Sequence, residues 1–484
     1  MENLILIHGA LGTKSEFDEV LPLLSKQYNV ICYEIPHHGE LQNSDNSFEI
    51  KELTRHFLSF LNEIGPSYVY GFSLGGYIAL TAALTNETNF KGIVTQGTKF
   101  NWNLEEAKKE TSSLSVDFLS NNAESFYSYL KDLHGEYLPE LLEKTKNFML
   151  DLGATPTLSP STIGQLKIPV RITRGGKDRM VTKEESLSIT EALSNGLYFE
   201  VPHMVHPLGY IAAKNIVRHI QTQIESFNYQ QIETPYGKMT YCQYGRIENK
   251  EQPIALFLHE AIGSIAQWQN FPKELSESLL IPGIALEFPG YGFSEAEDKV
   301  RNEQYLHEFA LNYLPAFIKA LKLENPLFIV GHSDGGTNAL LYSSAYPERV
   351  KGIVTLAAHY INEEETRAGI QPAVDAYKAG KLKGLEFFHG DKTERLFFAW
   401  AETWNLEGFK KWDITKDIKG NPVPALIIQG DKDQYGTDQQ VNGIVELLEN
   451  AEGYFVEDCG HAPHIERQWA VILAICQFYF TLDQ

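Results

Sequence analysis

Short apolar runs alternate with amphipathic segments along the first half of the chain. The runs of strand length are 4–7, 29–33, 68–70, 92–95, 170–173 and 197–201. Between 47 and 64, apolar residues recur mostly at three- and four-residue spacing, which indicates a helix, and a last helical segment covers 211–227. Strands that alternate with helices are typical of a parallel sheet with helices on its faces.

The second half of the chain repeats this pattern. His259 ends its strand as His8 ends the first one, at a shift of 251 residues. Ser333 corresponds to Ser73 at a shift of 260 residues. Similar shifts over the whole length indicate a duplicated domain rather than a chance motif.

Chain length and duplication together predict two domains, 1–227 and 228–484, since one core rarely grows beyond about 250–300 residues. A long, mainly helical stretch separates two strands in each half, at about 99–166 and about 359–422. Connections within a sheet usually have about 2–6 residues, so these stretches are predicted lids. Only the second half begins with a hairpin, at 232–244, so the first sheet should lack that edge.

Composition and charge narrow the class of protein. A hydrophobic fraction of 43% and a charged fraction of 21% are typical of a soluble globular chain. The net charge of -22 argues against nucleic acid and membrane partners, because it repels phosphates and anionic lipids. The acidic start is unlike a secretory signal, and the four cysteines are scattered, so we expect a cytoplasmic protein without metal or cofactor.

Two glycine-rich turns, 71–76 and 331–336, each follow a strand and precede a helix. Ser73 and Ser333 stand at the apex of these turns. An alcohol is a weak nucleophile near neutral pH, so either serine needs a contacting base and an acid that orients the base.

Acids and bases for both serines follow late strands in each half. In the second half these are Asp433 and His461, 28 residues apart. In the first half Asp178 follows a strand, and His203 and His206 follow the next. The spacing from Asp178 to His206 is again 28, which favours His206 over His203 as the base.

With these motifs, each half resembles a lid-bearing α/β hydrolase of the broad esterase, lactonase and carbon–carbon hydrolase group. The segments that carry the resemblance are 8–12, 34–39 and 71–76 in the first half and 258–264, 331–336 and 429–437 in the second. The first half is similar to small bacterial members, including menaquinone-pathway pyruvate-eliminating synthases. The resemblance implies two tandem α/β-hydrolase domains, each a mostly parallel sheet flanked by helices with a helical lid, and a Ser-Asp-His triad.

The same resemblance implies backbone donors for the oxyanion that forms on attack. The donors are expected at Ala10, Leu74, Ala261 and Asp334. Glu260 stands where the first half has Gly9, and its role is left between a surface or hinge-pinning residue and one at the pocket rim. His332 and His464 flank catalytic positions and either support them or only pack.

These observations predict a serine hydrolase that acts on a small-molecule carbonyl substrate: an ester, a thioester or a lactone. One alternative is carbon–carbon bond cleavage or elimination of the meta-cleavage or menaquinone-synthase type. Another is that one domain is a non-catalytic binding module, although neither copy lacks a triad residue. A tandem pair resembles the dimer of a single-domain hydrolase, which favours a monomer.

Overall fold

The computed structural model describes residues 1–297 and 299–482. The chain forms two compact units that divide between Phe227 and Asn228, and we call them the first and second domains. Each domain has its own sheet with helices on the faces, which confirms the predicted fold class.

Six parallel strands make up the described sheet of the first domain, in the order β2-β1-β3-β4-β5-β6. The strands are β1 (Glu2–Ile7), β2 (Tyr28–Tyr33), β3 (Ser67–Phe72), β4 (Phe90–Gln96), β5 (Val170–Gly175) and β6 (Gly196–Val201). Ile7 pairs with Gly71, so the loops after β1 and β3 leave the same edge of the sheet side by side. That edge carries Ser73.

The helices of the first domain cover the sheet and build the lid. They are α1 (Leu21–Leu24), α2 (Ile50–Ile64), α3 (Leu74–Thr85), α4 (Leu104–Thr111), α5 (Val116–Asn122), α6 (Glu124–His134), α7 (Leu138–Ala154), α8 (Pro160–Ile163), α9 (Lys183–Ala192) and α10 (Ala213–Glu225). Helices α4 to α8 lie between β4 and β5, where the lid was predicted. The helix that was predicted to begin at 47 begins at Ile50. Phe48 lies before the helix, where its ring stacks on Phe148 of α7.

Eight strands form the described sheet of the second domain, in the order β14-β13-β12-β11-β9-β10-β8-β7. The strands are β7 (Tyr229–Thr234), β8 (Gly237–Tyr244), β9 (Ile254–Leu258), β10 (Gly283–Glu287), β11 (Leu327–His332), β12 (Val350–Leu356), β13 (Ala425–Gly430) and β14 (Ala451–Val456). Strands β7 and β8 are the predicted hairpin at one edge; β8 pairs antiparallel with both β7 and β10, whereas the other pairs are parallel.

The helices of the second domain repeat the arrangement of the first. They are α11 (Phe271–Leu279), α12 (Tyr305–Glu308), α13 (Leu314–Ala320), α14 (Asp334–Ala345), α15 (Glu364–Lys378), α16 (Glu386–His389), α17 (Thr393–Asn405), α18 (Thr415–Ile418), α19 (Asp438–Leu447), α20 (Pro463–Glu466) and α21 (Gln468–Thr481). Helices α15 to α18 form the lid between β12 and β13. Over residues 1–297 and 299–482, none of the helices has the length and apolar character needed to cross a bilayer.

Candidate active sites

Both predicted nucleophiles sit at strained turns between a strand and a helix. Ser73 has φ 49° and ψ -113°, and Ser333 has φ 51° and ψ -116°. Residues other than glycine rarely adopt a positive φ, so the surrounding structure must hold the backbone of these serines in place. Their amides donate to the carbonyls that end the neighbouring strands, at Gln96 and Leu356, each at 2.8 Å.

Glycines make the close approach of strand and helix possible at these turns. A Cβ on Gly71 would lie 2.4 Å from the amide nitrogen of Gly76. A Cβ on Gly331 would lie 2.1 Å from the carbonyl oxygen of Gly335. Both distances are too short for real atoms, so the sequence at each elbow is dictated by packing.

Asp178 and His206 form the predicted pair in the first domain. The His206 Nδ1 atom lies 2.8 Å from Asp178 Oδ2, while His203 is exposed. Asp178 Oδ1 accepts from the amides of Met180 and Val181 at 2.8 and 3.0 Å. Burial opposes the charge of Asp178, but these bonds and the His206 contact hold its pKa below the usual value. The aspartate is therefore ionised and holds the Nδ1 side of the His206 ring.

The second domain repeats this pair with Asp433 and His461. The His461 Nδ1 atom lies 2.9 Å from each carboxylate oxygen, and the amide of Tyr435 donates to Asp433 Oδ1 at 2.8 Å. Burial again opposes the charge, yet the histidine contact keeps the pKa of Asp433 below its usual value. The side chain of Asp433 is 1% exposed and that of His461 is 17% exposed, so His461 keeps a small part of its surface in solvent.

The residues adjacent to the serines contact these histidines. The rings of Phe72 and His206 have centroids 5.3 Å apart, and those of His332 and His461 lie 5.1 Å apart. A Cβ on Gly97, which follows β4, would lie 3.1 Å from Asp178 Oδ2 and 3.2 Å from His206 Nδ1. The histidine, the aspartate and the elbow thus meet at one edge of the sheet.

The four predicted oxyanion donors occupy equivalent places in the two domains. Leu74 and Asp334 are the first residues of α3 and α14, where backbone N–H groups have no acceptor within the helix. Ala10 and Ala261 are the second residues of turns closed by Gly12 N–H to Gly9 O at 3.1 Å and Gly263 N–H to Glu260 O at 3.0 Å.

Asp334 has a side-chain network that the sequence did not reveal. Its carboxylate accepts from the Tyr305 hydroxyl at 2.7 Å, and the Trp404 Nε1–H donates to that hydroxyl at 2.9 Å. Burial raises the pKa of Asp334 to about 6, against the hydrogen bond from Tyr305 and the positive charge of Arg301. The network ties the start of α14 to lid helix α17.

A residue at one equivalent position of the two domains hydrogen-bonds to the loop that carries the aspartate. This residue is a lysine in the first domain and a histidine in the second. The Lys99 Nζ atom donates to the Met180 carbonyl at 3.0 Å. His359, at the shift of 260 residues, donates through Nε2 to the Tyr435 carbonyl, also at 3.0 Å. Lys99 also lies 3.2 Å from a Glu106 carboxylate oxygen, so its charge is compensated within the lid.

A buried histidine of each lid binds the oxyanion loop. His134 donates through Nε2 to the Leu11 carbonyl at 2.8 Å, and His389 donates to the Ile262 carbonyl at 2.9 Å. His389 Nδ1 also accepts from the Gly292 amide at 3.1 Å. Burial lowers the pKa of both histidines, to about 3 for His389, so both are neutral.

Sequence reasoning missed these lid histidines. A signal was present, because 134–136 and 389–391 both read histidine, glycine and an acidic residue at a shift of 255. Gly135 and Gly390 both have positive φ, of 56° and 60°, which explains why glycine follows the histidine.

A small cavity adjoins Ser73 in the first domain. Its accessible volume is about 30 Å³, enough for one or two water molecules. The lining is mainly apolar and includes Leu74, Trp102, Phe148 and Leu152, with Lys99 at one side. Phe148 and Leu152 belong to lid helix α7, so this helix lines the cavity beside the partly exposed serine.

Among residues 1–297 and 299–482, no group of three or more histidine, cysteine, aspartate or glutamate side chains is placed so that it could hold a metal ion. The adjacent His37 and His38 have other partners. The Lys144 Nζ atom donates to His37 Nδ1 at 3.1 Å, and the Leu11 amide donates to His38 Nε2 at 3.3 Å.

Comparison with known proteins places the chain among hydrolases. A 2-hydroxy-6-oxo-6-(2'-aminophenyl)hexa-2,4-dienoic acid hydrolase of Metapseudomonas resinovorans is 24% identical over 45% of this chain and 80% of that protein. A putative 2-succinyl-6-hydroxy-2,4-cyclohexadiene-1-carboxylate synthase of Haemophilus influenzae is 33% identical over 22% of this chain and 46% of that protein. A solved meta-cleavage product hydrolase of Pseudomonas fluorescens has a TM-score of 0.41 and 19% identity, over 52% of this chain and 97% of that chain.

The family model described as alpha/beta hydrolase fold matches residues 2–111 and 254–378, one segment in each domain. The chain therefore belongs to the α/β-hydrolase superfamily and carries two domains of that fold in tandem.

Proposed function

We propose that the chain is a serine hydrolase with a catalytic centre in each domain, acting on a small ester, thioester or lactone. The observation that carries the proposal is the carboxylate–histidine pair found twice beside a strained serine, at 2.8 Å in the first domain and 2.9 Å in the second. The pairing of the histidine Nδ1–H with an aspartate leaves Nε2 as the basic atom that would take the serine proton.

The reaction proposed for either site has two stages. The serine Oγ bonds to the carbonyl carbon as the histidine Nε2 takes its proton, and the carbonyl oxygen becomes an oxyanion held by backbone N–H groups. The histidine then returns the proton to the departing alcohol or thiol. Water, deprotonated by the same histidine, attacks the acyl-enzyme and releases the acid and the free serine.

The lining of the first site supports a small, largely apolar acyl group. Trp102, Phe148 and Leu152 surround Ser73 with apolar surface, and the positive charge of Lys99 is already paired with lid glutamates. Apolar walls with few polar groups are typical of sites that bind apolar parts of small molecules.

Carbon–carbon bond hydrolysis is the second candidate, favoured by the similarity to the aminophenyl-hexadienoic acid hydrolase. In that reaction the same triad serves mainly in proton transfer. Analysis of the products separates the candidates: an acid with an alcohol or thiol supports ester or thioester hydrolysis, while a shortened dienoic acid or released pyruvate contradicts it.

Labelling with a fluorophosphonate probe tests the proposal at both sites. We expect the wild-type chain to bind two probe molecules, and the Ser73→Ala and Ser333→Ala chains to bind one each, at the remaining serine. The doubly substituted chain is the matched control and should bind none. If Ser73→Ala leaves the number of bound probes unchanged, the first domain is not a serine hydrolase, and Ser333→Ala tests the second domain in the same way.

A further inference from the structure

Glu260 and His332 form a buried pair beside the catalytic histidine of the second domain. The His332 Nδ1 atom lies 3.2 Å from Glu260 Oε2, and its Nε2 atom lies 2.8 Å from the backbone carbonyl oxygen of His461. The side chain of His332 is 4% exposed and that of Glu260 is 21% exposed. One imidazole therefore joins the oxyanion loop to the loop that carries the general base.

The two contacts require a doubly protonated ring. A carbonyl oxygen can only accept a hydrogen bond, so His332 Nε2 must carry a proton, and an ionised carboxylate also only accepts, so Nδ1 must carry another. Burial opposes both charges, but the pair holds the pKa of Glu260 down to about 2 and that of His332 above its usual value. The hydrogen-bond geometry and the raised pKa of His332 both favour the imidazolium form.

The first domain has neither member of this pair. Gly9 stands at the position of Glu260 and Phe72 at the position of His332, at shifts of 251 and 260 residues that match the rest of the repeat. Phe72 contacts His206 through its ring alone. His332 occupies the same place and adds two hydrogen bonds.

Other charged and titratable groups face the pair from several elements. They are His259 after β9, Asp334 on α14, His389 on α16, Asp433 after β13, His461 after β14 and His464 on α20. The rings of His332 and His464 lie 4.6 Å apart, and burial keeps the pKa of His464 well below its usual value, so His464 is neutral. Glu260 is the only carboxylate within hydrogen-bond distance of His332 among the described residues.

We propose that the Glu260–His332 ion pair is a positioning device of the second active site, one that fixes the His461 loop against the oxyanion loop and neutralises the Glu260 charge beside the developing oxyanion. The proposal rests on the proposed hydrolase function of this domain. An unpaired carboxylate in the oxyanion loop would repel the negative charge of the transition state. Loss of the proton from His332 should therefore slow the second domain and leave the first unaffected.

The full chain with Ser73→Ala isolates the second site for the test. The measurement is the rate of fluorophosphonate labelling of Ser333, and of 4-nitrophenyl acetate turnover, between pH 5 and 10 at roughly half-unit steps chosen to span the ordinary pKa of histidine. We expect the rate to fall at alkaline pH as His332 loses its proton. The Ser333→Ala chain, which reports the first site, should lack the alkaline fall.

Three variants in the Ser73→Ala chain separate charge from packing. His332→Phe should lower kcat about 100-fold with a smaller change in KM, because it leaves Glu260 charged and frees the His461 loop. Glu260→Gln keeps the shape of the side chain and should lower kcat about tenfold and abolish the alkaline fall. The double variant Glu260→Gly with His332→Phe recreates the first-domain arrangement and should recover most of the activity that His332→Phe loses.

The experiment distinguishes failure of this positioning role from failure of the proposed hydrolase function. If Ser333 in the Ser73→Ala chain takes no probe and turns over no ester, the hydrolase function of the second domain fails and this role with it. If Ser333 reacts but His332→Phe reacts equally fast, or Glu260→Gln keeps the alkaline fall, the positioning role alone is overturned. Thermal unfolding of each variant establishes that it is folded.

Discussion

The two domains hold the same aspartate–histidine pair in different surroundings. His206 packs against the apolar ring of Phe72, whereas His461 packs against the hydrogen-bonded ring of His332. The spacing of 28 residues and the Nδ1–carboxylate distance are nearly the same in both domains. The comparison teaches that the contact between acid and base tolerates little change, while the shell that positions it can be apolar or ionic.

The support of the aspartate loop shows the same contrast. Lys99 and His359 make equivalent hydrogen bonds to the carbonyl two residues after the aspartate. Lys99 carries a positive charge, whereas the ring of His359 can be neutral. Burial lowers the pKa of His359, so its ring is neutral at neutral pH. Both domains therefore have this hydrogen bond, but only the first domain has a positive charge at this position. The electric field should differ at the two serines for this reason.

The largest effect should come from removing the charge of the triad aspartates. Asp178→Asn and Asp433→Asn should each lower the labelling rate of the serine in the same domain by about 10⁴-fold, because the histidine loses its correct tautomer. Peptide mapping of the labelled chain measures each serine separately. Asp458→Asn is the matched control, since Asp458 is exposed and pairs with Lys432, and it should leave both rates unchanged. A loss of less than tenfold in either domain would show that its aspartate does not orient the base.

A smaller effect should come from the lid histidines, and it should differ between the domains. His389→Ala removes a donor to the Ile262 carbonyl and an acceptor for the Gly292 amide, and should cost about 2 kcal/mol in the free energy of unfolding. His134→Ala removes a single bond to Leu11 and should cost about 1 kcal/mol. Denaturant unfolding of the full chain, followed by hydrogen exchange in each domain, measures both.

His307→Ala is the control for these lid variants. This histidine is partly exposed and lies 3.6 Å from an Asp417 oxygen, a contact of little worth, so its replacement should cost well under about 1 kcal/mol. Equal losses for His134→Ala and His389→Ala would contradict the difference drawn from their hydrogen bonds.

The last comparison exchanges the residues after β4 and β12, and one of its two variants, Ala357→Gly, should have an effect of only about 0.5 kcal/mol. Gly97 has φ 62°, and Gly97→Ala adds a Cβ against Asp178 and His206, so it should destabilise the first domain by about 1–2 kcal/mol and slow labelling of Ser73. Ala357 already adopts φ 54° in the second domain, and Ala357→Gly should stabilise it by about 0.5 kcal/mol, as the relief of strain narrowly exceeds the gain in unfolded-chain entropy. Stabilisation by Gly97→Ala would reverse the comparison.

Much of this arrangement could be predicted from the chain because the repeat supplies an internal comparison. Either half alone has a serine in a short glycine-rich motif, which is weak evidence. The repeated spacing of 28 residues from Asp178 to His206 and from Asp433 to His461 ties acid to base, and the structure brings each pair into contact. The mostly parallel sheets follow from the same alternation of apolar runs and helices, whereas the order of the strands comes from the structure.

The hydrogen bonds that surround the aspartate–histidine pairs could not be predicted from the sequence. Their two partners are far apart along the chain, and one of them is often a backbone carbonyl, which leaves no sequence pattern. His134 binds a backbone carbonyl 123 residues away, and no side chain marks that acceptor. Glu260 meets His332 across 72 residues, and each alone has an ordinary explanation as a surface or packed residue. Helical periodicity reports which face is buried, not which buried histidine donates to which loop.

The narrow cavity beside Ser73 has a kinetic consequence. Phe148 and Leu152 of α7 line this space of about 30 Å³ beside a partly exposed serine, so a substrate with a longer acyl chain should have to push α7 aside as it binds. Substrate association with the first domain should then be limited by the frequency of this opening rather than by diffusion. A substrate held behind the reclosed helix would dissociate slowly as well, so the first domain favours commitment to reaction over rapid exchange.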